Sequence, residues 1–593
     1  MSLNRTIVEA LSEIAALHEL LGADAFRVRA YARAARAFES LTADAASLSR
    51  QDLLLLEGVG HKMVDKVEEL RDTGQICELQ ELRSKVPAGL PGLLRLQGLG
   101  PKTVRALWQH AGVESVADLQ KAIAEDRLKD VPRLGAKTIE NIARALDFAQ
   151  HTGDRARLGL ATPLAELIIE TLAGTPGVRR LEAAGSLRRG RETVGDLDIL
   201  AVADDPAALS AALGEMRGVT DVLASGETKT SVRMSVPAQR GPAAAIQVDL
   251  RIVPEEAFGA ALLYFTGSKE HNIRLRERAR KKTLTLNEYG LFPDEPGDGP
   301  PQSRGVEPVA SRTEEAIYAA LDLPYLPPEI REDRGELDLA ETPRLIEVGD
   351  VRAELHAHTT ASDGSLSILE LAQLARDRGF HTIAVTDHSK SQAVASGLSD
   401  ERLRKHLAAI REANEQIEGI TILAGSEVDI LADGDLDYGD ELLAELDVVV
   451  ASPHWALQQK PAKATERLLK AIEHPLVRII GHPTGRLINR RSGLDPAMEE
   501  IIAAAIEHDT ALEINAHWAR LDLRDHHVRA AVEAGALIAV NCDVHAAGDF
   551  DNLRYGVATA RRGWLPPERC VNTWDAGRLH AWLARVESVR PGR

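Results

Sequence analysis

The sequence predicts a multidomain chain with an α-helical front, an α+β middle and a rear barrel of alternating strands and helices. Three observations carry this. The 593 residues exceed what a single hydrophobic core organises, so about three to five domains are expected. The front is built of short amphipathic helices interrupted at a recurring glycine phrase: LEGVGHKMVDKV, LQGLGPKTVRAL and VPRLGAKTIENI. From residue 346 onward, apolar strand-like runs alternate with helical patterns, the signature of βα units. Between these regions DLDILAV and AAIQVDLRIV read as strands. The basic helical stretch FTGSKEHNIRLRERARKK follows, then a connector over 293–345 rich in Pro, Gly and acid.

Hydrophobic residues make up 44% and charged residues 27%, as in a soluble globular protein. No apolar run approaches the roughly 18–20 residues of a membrane helix. The opening segment keeps Glu9, Glu13 and Glu19 inside its apolar pattern, so an amphipathic helix is expected there and not a secretory signal. The three cysteines are scattered, which disfavours disulfides and a cysteine zinc site and suits the cytoplasm. A net charge of −19 argues against nucleic acid, but the acid excess is uneven. Residues 1–300 hold 39 Lys+Arg against 42 Asp+Glu, and residues 301–593 hold 32 against 48. The front can therefore present local basic patches. Of the 19 histidines, 14 lie after residue 350, which points to metal chemistry at the rear.

Gly58-Val59-Gly60 and Gly98-Leu99-Gly100 each separate two helical segments. Such helix-hairpin-helix turns let a DNA phosphate approach the backbone amides that open the second helix, with Lys62 and Lys102 beside them. These contacts hold the DNA backbone without reading sequence. The third copy is degenerate, with Arg133 at its first glycine position. Lys62 and Lys66 share one helix face. They read either as solvated cations near phosphate or, for Lys66, as an amine that attacks an abasic-sugar aldehyde.

In GSLRRGRETVGDLDIL, Asp196 and Asp198 flank Leu197, so on a strand both carboxylates share one face. Asp249, in IQVDLRIV, can complete a three-carboxylate nest on a neighbouring strand. Such acids repel unless cations intervene, and the nest suits two Mg2+ or Mn2+ ions driving phosphoryl transfer. At the rear, successive apolar runs end in potential ligands: His356 and His358, then Asp387 and His388, then Glu427, His454, His482, and finally Asp543 and His545. Asp363 adds an oxygen from the loop TTASDGS. Ligands at successive strand ends are what a barrel active site requires. His381, His406, His474, His508, His526, His527 and His580 fall off this pattern and read as surface or core residues; His517 is ambiguous.

On these motifs the front and middle, residues 1 to about 325, resemble the X-family DNA polymerases related to polymerase beta. The resemblance implies a nucleotidyltransferase palm and a thumb. It also implies that Ser186 and Arg189 hold an incoming triphosphate. Tyr264, Phe265 and Gly267 would lie against its sugar, and Asn272 and Arg276 would reach base edges and template. Lys66, with Tyr31 as partner, matches the family's lyase position. Gln247 stands where polymerase beta carries an arginine, and QICELQEL holds fewer lysines than the family's lyase domain. Residues 346–575 resemble the PHP (polymerase and histidinol phosphatase) family through HxH, SDG, TDH, the isolated Glu, GHP and DxH. That resemblance implies a distorted (β/α)7-type barrel and three metals, held by His356, His358, Glu427 and Asp543; by Glu427, His454 and His482; and by Asp363, His388 and His545. Mixed N/O ligation fits Mn2+, Zn2+ or Fe2+.

The expected organisation is 1–85 and 86–150 helical, 151–257 palm, 258–325 thumb, 326–345 linker, 346–575 barrel and 576–593 tail. The expected activities are gap-filling DNA synthesis and metal-dependent 3′→5′ trimming or abasic-site cleavage. Gapped or nicked DNA and dNTPs are the partners, and a monomer is expected. The rival readings are a nuclease with residual polymerase, a small-ester phosphatase barrel, and a barrel that is only a scaffold.

Overall fold

The computed structural model describes residues 3–39, 45, 48–56, 58–93, 99–132, 134–135, 139, 142–143, 146, 155–236 and 244–584. Gly98 and Arg133 fall outside them. The described residues form two compact units, 3–146 and 155–584.

The first unit is helical. Helix Leu3–Leu21 buries Ile7, Leu11, Ile14 and Leu17, spaced three and four apart, in one core with Tyr31, Ala34 and Phe38 of helix Ala25–Glu39. Gly58 adopts φ +84° and Gly60 caps helix His61–Thr73, which ends at Gly74 with φ +72°. Gly100 caps helix Pro101–Ala111, whose Pro101 occupies the first turn, where a missing N–H costs nothing.

The second unit begins with strand β1 (Ala156–Arg157), paired antiparallel to β3 (Thr193–Val194). A five-stranded sheet orders β2 (Val178–Ala183), β4 (Asp196–Ala203), β7 (Ala244–Ile252), β6 (Lys229–Val236) and β5 (Val219–Ser225) as 2-4-7-6-5. β4 and β7 are parallel; the other pairs are antiparallel. Leu197, Ile199 and Ala201 point into one core, and Leu200 and Val202 into another beneath helix Phe258–Thr266. That alternation puts Asp196 and Asp198 together on the second face. Helix Lys269–Lys281, the hairpin β8 (Leu284–Asn287) to β9 (Gly290–Pro293) and helix Glu314–Ala320 follow.

Residues 326–345 do not behave as the expected linker. Arg331 and Glu336 are fully buried, and Leu326, Ile330, Leu337 and Leu345 join the core of the preceding helices. The physical reason is pairing: Arg331 meets Glu314 at 2.5 Å and Glu336 meets His271 at 2.7 Å. Composition registered the acids and prolines of this segment but not the partners that let its charges be buried.

The rear is a seven-stranded, wholly parallel sheet in sequential order: β10 (Ala353–Glu354), β11 (Thr382–Val385), β12 (Thr421–Asp429), β13 (Val448–Ser452), β14 (Ile479–Ile480), β15 (Ala511–Asn515) and β16 (Ile538–Asn541). A parallel bridge between Ala357 and Val544 brings the first and last runs together, so the sheet curls into a barrel. The barrel also completes the middle sheet's core: Ile488, Leu521 and Tyr555 pack among Leu158, Leu197 and Val248.

Burial pushes the Glu314 carboxyl up, but Arg331 and Arg188 outweigh it and hold its pKa at about 2. Its folded value is depressed, so its stabilisation is present above the ordinary carboxylate range and fades as pH falls from about 4.5 towards 2. Glu314→Gln is expected to cost ~3–5 kcal/mol at pH 7, because it strands buried Arg331. In urea titrations the gap from the parent protein should narrow as pH falls through that window; a pH-independent gap would count against the pairing.

Candidate active sites

Parallel pairing sets Asp196 beside Gln247 and Asp198 beside Asp249, which joins the three carboxylates at one end of β4 and β7. Burial, then the charges of Asp196 and Asp249, raise the Asp198 pKa to about 7. Gly185, with φ +64°, packs so closely that a Cβ would lie 2.4 Å from the Asp198 carboxylate. Only glycine allows that approach. Lys229, reaching from β6, meets Asp249 at 2.8 Å, and the Gln247 amide donates to Asp249 at 2.9 Å. The charge missing at Gln247 is therefore supplied by a neighbouring strand, which sequence position alone did not reveal. The mutual repulsion of this nest is what divalent cations would relieve, so the residues fit such ions.

A cleft of about 490 Å³ adjoins the nest and is lined by Ser186, Arg189, Tyr264, Phe265, Gly267, Asn272 and Arg276. All of the expected nucleotide-contact residues are gathered there, joined by Arg155, Arg191 and Lys269. Tyr264 is 38% exposed, and Phe265 is covered by the Arg251 guanidinium at 4.5 Å. The Asn272 amide donates to the Tyr264 carbonyl at 2.7 Å, and Arg276 Nε to the Asn272 carbonyl at 3.2 Å. Arg189 is largely buried and donates to Glu332 at 3.0 Å and to the Thr266 carbonyl.

In the barrel, Glu427 of β12 is the centre. It lies 2.8 Å from His388, 2.9 Å from His482, 3.3 Å from His356 and His454, and 3.7 Å from His358. Asp543 meets His358 at 3.2 Å and His356 at 3.6 Å, and Asp363 meets His545 at 3.4 Å and His388 at 3.6 Å. Three groupings have ligand atoms within 4.8 Å of one another: His358, Asp363, His388 and His545; His356, His358 and Asp543; and His388, Glu427 and His454. His358 thus reaches two groupings, as does His388. Asp387 stays apart: it accepts from Thr359, Ser362 and His406.

The donor set fits metal. His356 Nε2, both His358 nitrogens, His388 Nδ1, His482 Nδ1, Glu427 Oε1 and Asp543 Oδ1 are buried without a hydrogen bond. So many orphaned lone pairs are costly unless cations satisfy them. Burial, with His545 and His388 nearby, drives the His358 pKa down to about 4 and keeps the ring a neutral donor. His482 and Asp543 hold positive φ values of 25° and 55°, backbone strain of the kind found at functional sites. Orienting groups complete the basket: Glu513 lies 2.8 Å from His356 Nδ1, Asp429 meets His454 Nδ1, and the Asn515 amide donates to Asp543 at 2.9 Å. Sequence reading missed Glu513, although an acid in the wholly buried strand ALEIN was a visible signal.

In the first unit, the helices opened by Gly60 and Gly100 carry no side-chain cap. Their first-turn amides are available to an anion, with Lys62 and Lys102 exposed beside them. Lys66 pairs with Glu78, which also accepts from Tyr31 at 2.7 Å and lies 2.7 Å from His18. Burial opposes it, but Lys66, Tyr31 and His18 bring the Glu78 pKa to about 2.

Loss of the Glu513 contact should loosen His356. Glu513→Gln is expected to weaken Mn2+ binding by ~10–100-fold with little change in primer extension, as measured by metal titration calorimetry; unchanged metal affinity would count against an orienting role.

Comparison with known proteins matches these regions to four families. The Helix-hairpin-helix domain matches residues 2–76, and the SAM-like helix-hairpin-helix tandem residues 91–147. The DNA polymerase beta thumb matches 261–332, and the PHP domain 354–517. The DNA polymerase/3′-5′ exonuclease PolX of Bacillus subtilis (strain 168) is 38% identical over 98% of this chain and 99% of its own length. DNA polymerase lambda of Rattus norvegicus is 29% identical over 56% of each chain. A probable phosphatase of Thermoanaerobacter sp. (strain X514) is 28% identical over 39% of this chain and 93% of its own. The chain belongs to the X-family DNA polymerases that carry a C-terminal PHP domain.

Proposed function

We propose that the chain fills short gaps in DNA during repair and trims 3′ ends with its rear barrel. One observation carries the reading: a single chain holds both a three-carboxylate nest beside a basic cleft and a separate basket of nine imidazole and carboxylate ligands. The nest, Asp196, Asp198 and Asp249, would hold two Mg2+ or Mn2+ ions. The basket, His356, His358, Asp363, His388, Glu427, His454, His482, Asp543 and His545, would hold three of Mn2+, Zn2+ or Fe2+. When bound, such ions supply positive charge to a phosphate in transfer and activate a nucleophile at neutral pH.

Ser186 and Arg189, with Arg155, Arg191 and Lys269 around them, bind the triphosphate of an incoming dNTP. Tyr264, Phe265 and Gly267 place its sugar, and Asn272 and Arg276 face base and template. Gly58, Gly60, Lys62, Gly98, Gly100 and Lys102 grip the backbone of gapped or nicked DNA. Residues 1–85 and 86–150 serve as DNA-holding domains, 151–257 as palm, 258–325 as thumb and 346–575 as nuclease, in a cytoplasmic monomer. No helix among the described residues is long and apolar enough to cross a membrane. The likeness to a probable phosphatase favours one further use of the basket, removal of terminal phosphate from a blocked 3′ end. Comparing 3′-phosphate and 3′-hydroxyl primers tests it.

On one gapped duplex with Mn2+, Asp198→Ala should lower primer extension by at least ~100-fold while 3′ shortening persists, and His358→Ala should do the reverse. Undiminished extension in the first variant would remove the polymerase assignment. For the lyase reading, the Lys66 nitrogen is committed to Glu78, so attack on a sugar aldehyde requires that pair to open. Borohydride trapping on an abasic 5′ end should therefore be several-fold stronger in Glu78→Gln than in the parent and absent in Lys66→Ala; trapping that survives Lys66→Ala would place the amine elsewhere.

A further inference from the structure

Outside both sites, a cavity of about 200 Å³ opens where the middle sheet meets the barrel. Arg191, Arg334, Arg524, His526 and Arg562 line it, together with the carboxylates Glu192 and Asp525. Those carboxylates are already engaged. Asp525 accepts from Arg562 at 2.8 Å and from Arg334 at 3.1 Å, and lies 3.7 Å from His526. Glu192 pairs with Arg486 at 2.6 Å, and nearby Glu332 pairs with Arg562 at 2.8 Å and with Arg191 at 3.3 Å. The Arg524 guanidinium is left over: the residue is half-buried in the cavity wall, its carbonyl accepts from the Val528 amide, and its side chain makes no hydrogen bond or ion pair with any described residue. A guanidinium partly withdrawn from water without a hydrogen-bond partner is costly, and its planar fork matches a phosphate's oxygens. The excess of cations is local, because residues 301–593 carry 32 Lys+Arg against 48 Asp+Glu. Arg191 also lines the polymerase cleft, which places this cavity directly beside the site of triphosphate binding.

We propose that this junction cavity is a phosphate-binding site centred on Arg524, separate from both catalytic centres. Its ligand is a multiply charged phosphate, which reaches it either as free pyrophosphate or as a terminal phosphate of the gapped DNA. Arg524 supplies the paired donors, and exposed Arg334 of the same wall adds positive charge.

The test uses the full-length protein, chelated to remove divalent cations, with Arg524→Ala and the stem-preserving Arg524→Gln. The Arg524 side chain has no hydrogen-bond partner to lose among the described residues, so both variants should unfold like the parent when unliganded. Sodium pyrophosphate is titrated by calorimetry, and gapped duplexes with a 5′-phosphate or a 5′-hydroxyl are compared by anisotropy. At least ~10-fold weaker pyrophosphate binding in both variants supports the site with free pyrophosphate as its ligand. Unchanged pyrophosphate binding, with loss of the parent's preference for the 5′-phosphorylated duplex, supports it with DNA as the source. Equal pyrophosphate affinity and equal duplex preference in all three proteins would overturn it.

Discussion

Glu427 is a carboxylate with 1% exposure, enclosed by histidines from the ends of four other strand runs. A lone charge so placed would be untenable. Burial raises its pKa, yet His454, His356 and His388 hold it well below the ordinary carboxylate range. The barrel is organised around this exchange. Six of the seven parallel strands end where a candidate ligand can reach the centre, and Glu513, Asp429 and Asn515 fix the rings and carboxylate from behind. The remaining lone pairs face inward without donors, an arrangement that bound cations would satisfy.

The same rule governs the middle sheet on a smaller scale. Three acids at adjacent strand ends strain one another, and the sheet answers with Lys229 from one side and a glycine turn from the other. In both sites parallel strands deliver the acids. Parallel neighbours run in one direction, so functional side chains from distant sequence positions can be set side by side.

The second unit is held together by charge pairs across its parts. Arg562 of the barrel donates to Glu332 and to the Arg189 carbonyl, while Glu332 also accepts from Arg189. Arg486 reaches Glu192, and the Asn489 amide donates to the Arg155 carbonyl. The segment 185–195, a helical turn followed by β3 that carries Ser186 and Arg189, therefore rests on barrel residues as well as on its own sheet. Removing one partner of such a buried pair would strand the other charge.

The alternation around Leu197 and the recurrence of candidate ligands at strand ends could be read directly, because both depend on local spacing: two residues per strand repeat, and His or acid residues closing the apolar runs. The sequence by itself thus determined the helical front, and it offered the acids that parallel pairing gathers and the candidate ligands that surround Glu427. Tertiary structure decided what depends on distant partners. Lys229 stands in for the charge absent at Gln247, Glu78 occupies Lys66, and the acidic run 326–345 becomes core once Arg331 finds Glu314. A side chain's residue type tells what it can bind, but which of several candidates it meets is set by how the chain returns on itself, and no local pattern encodes that.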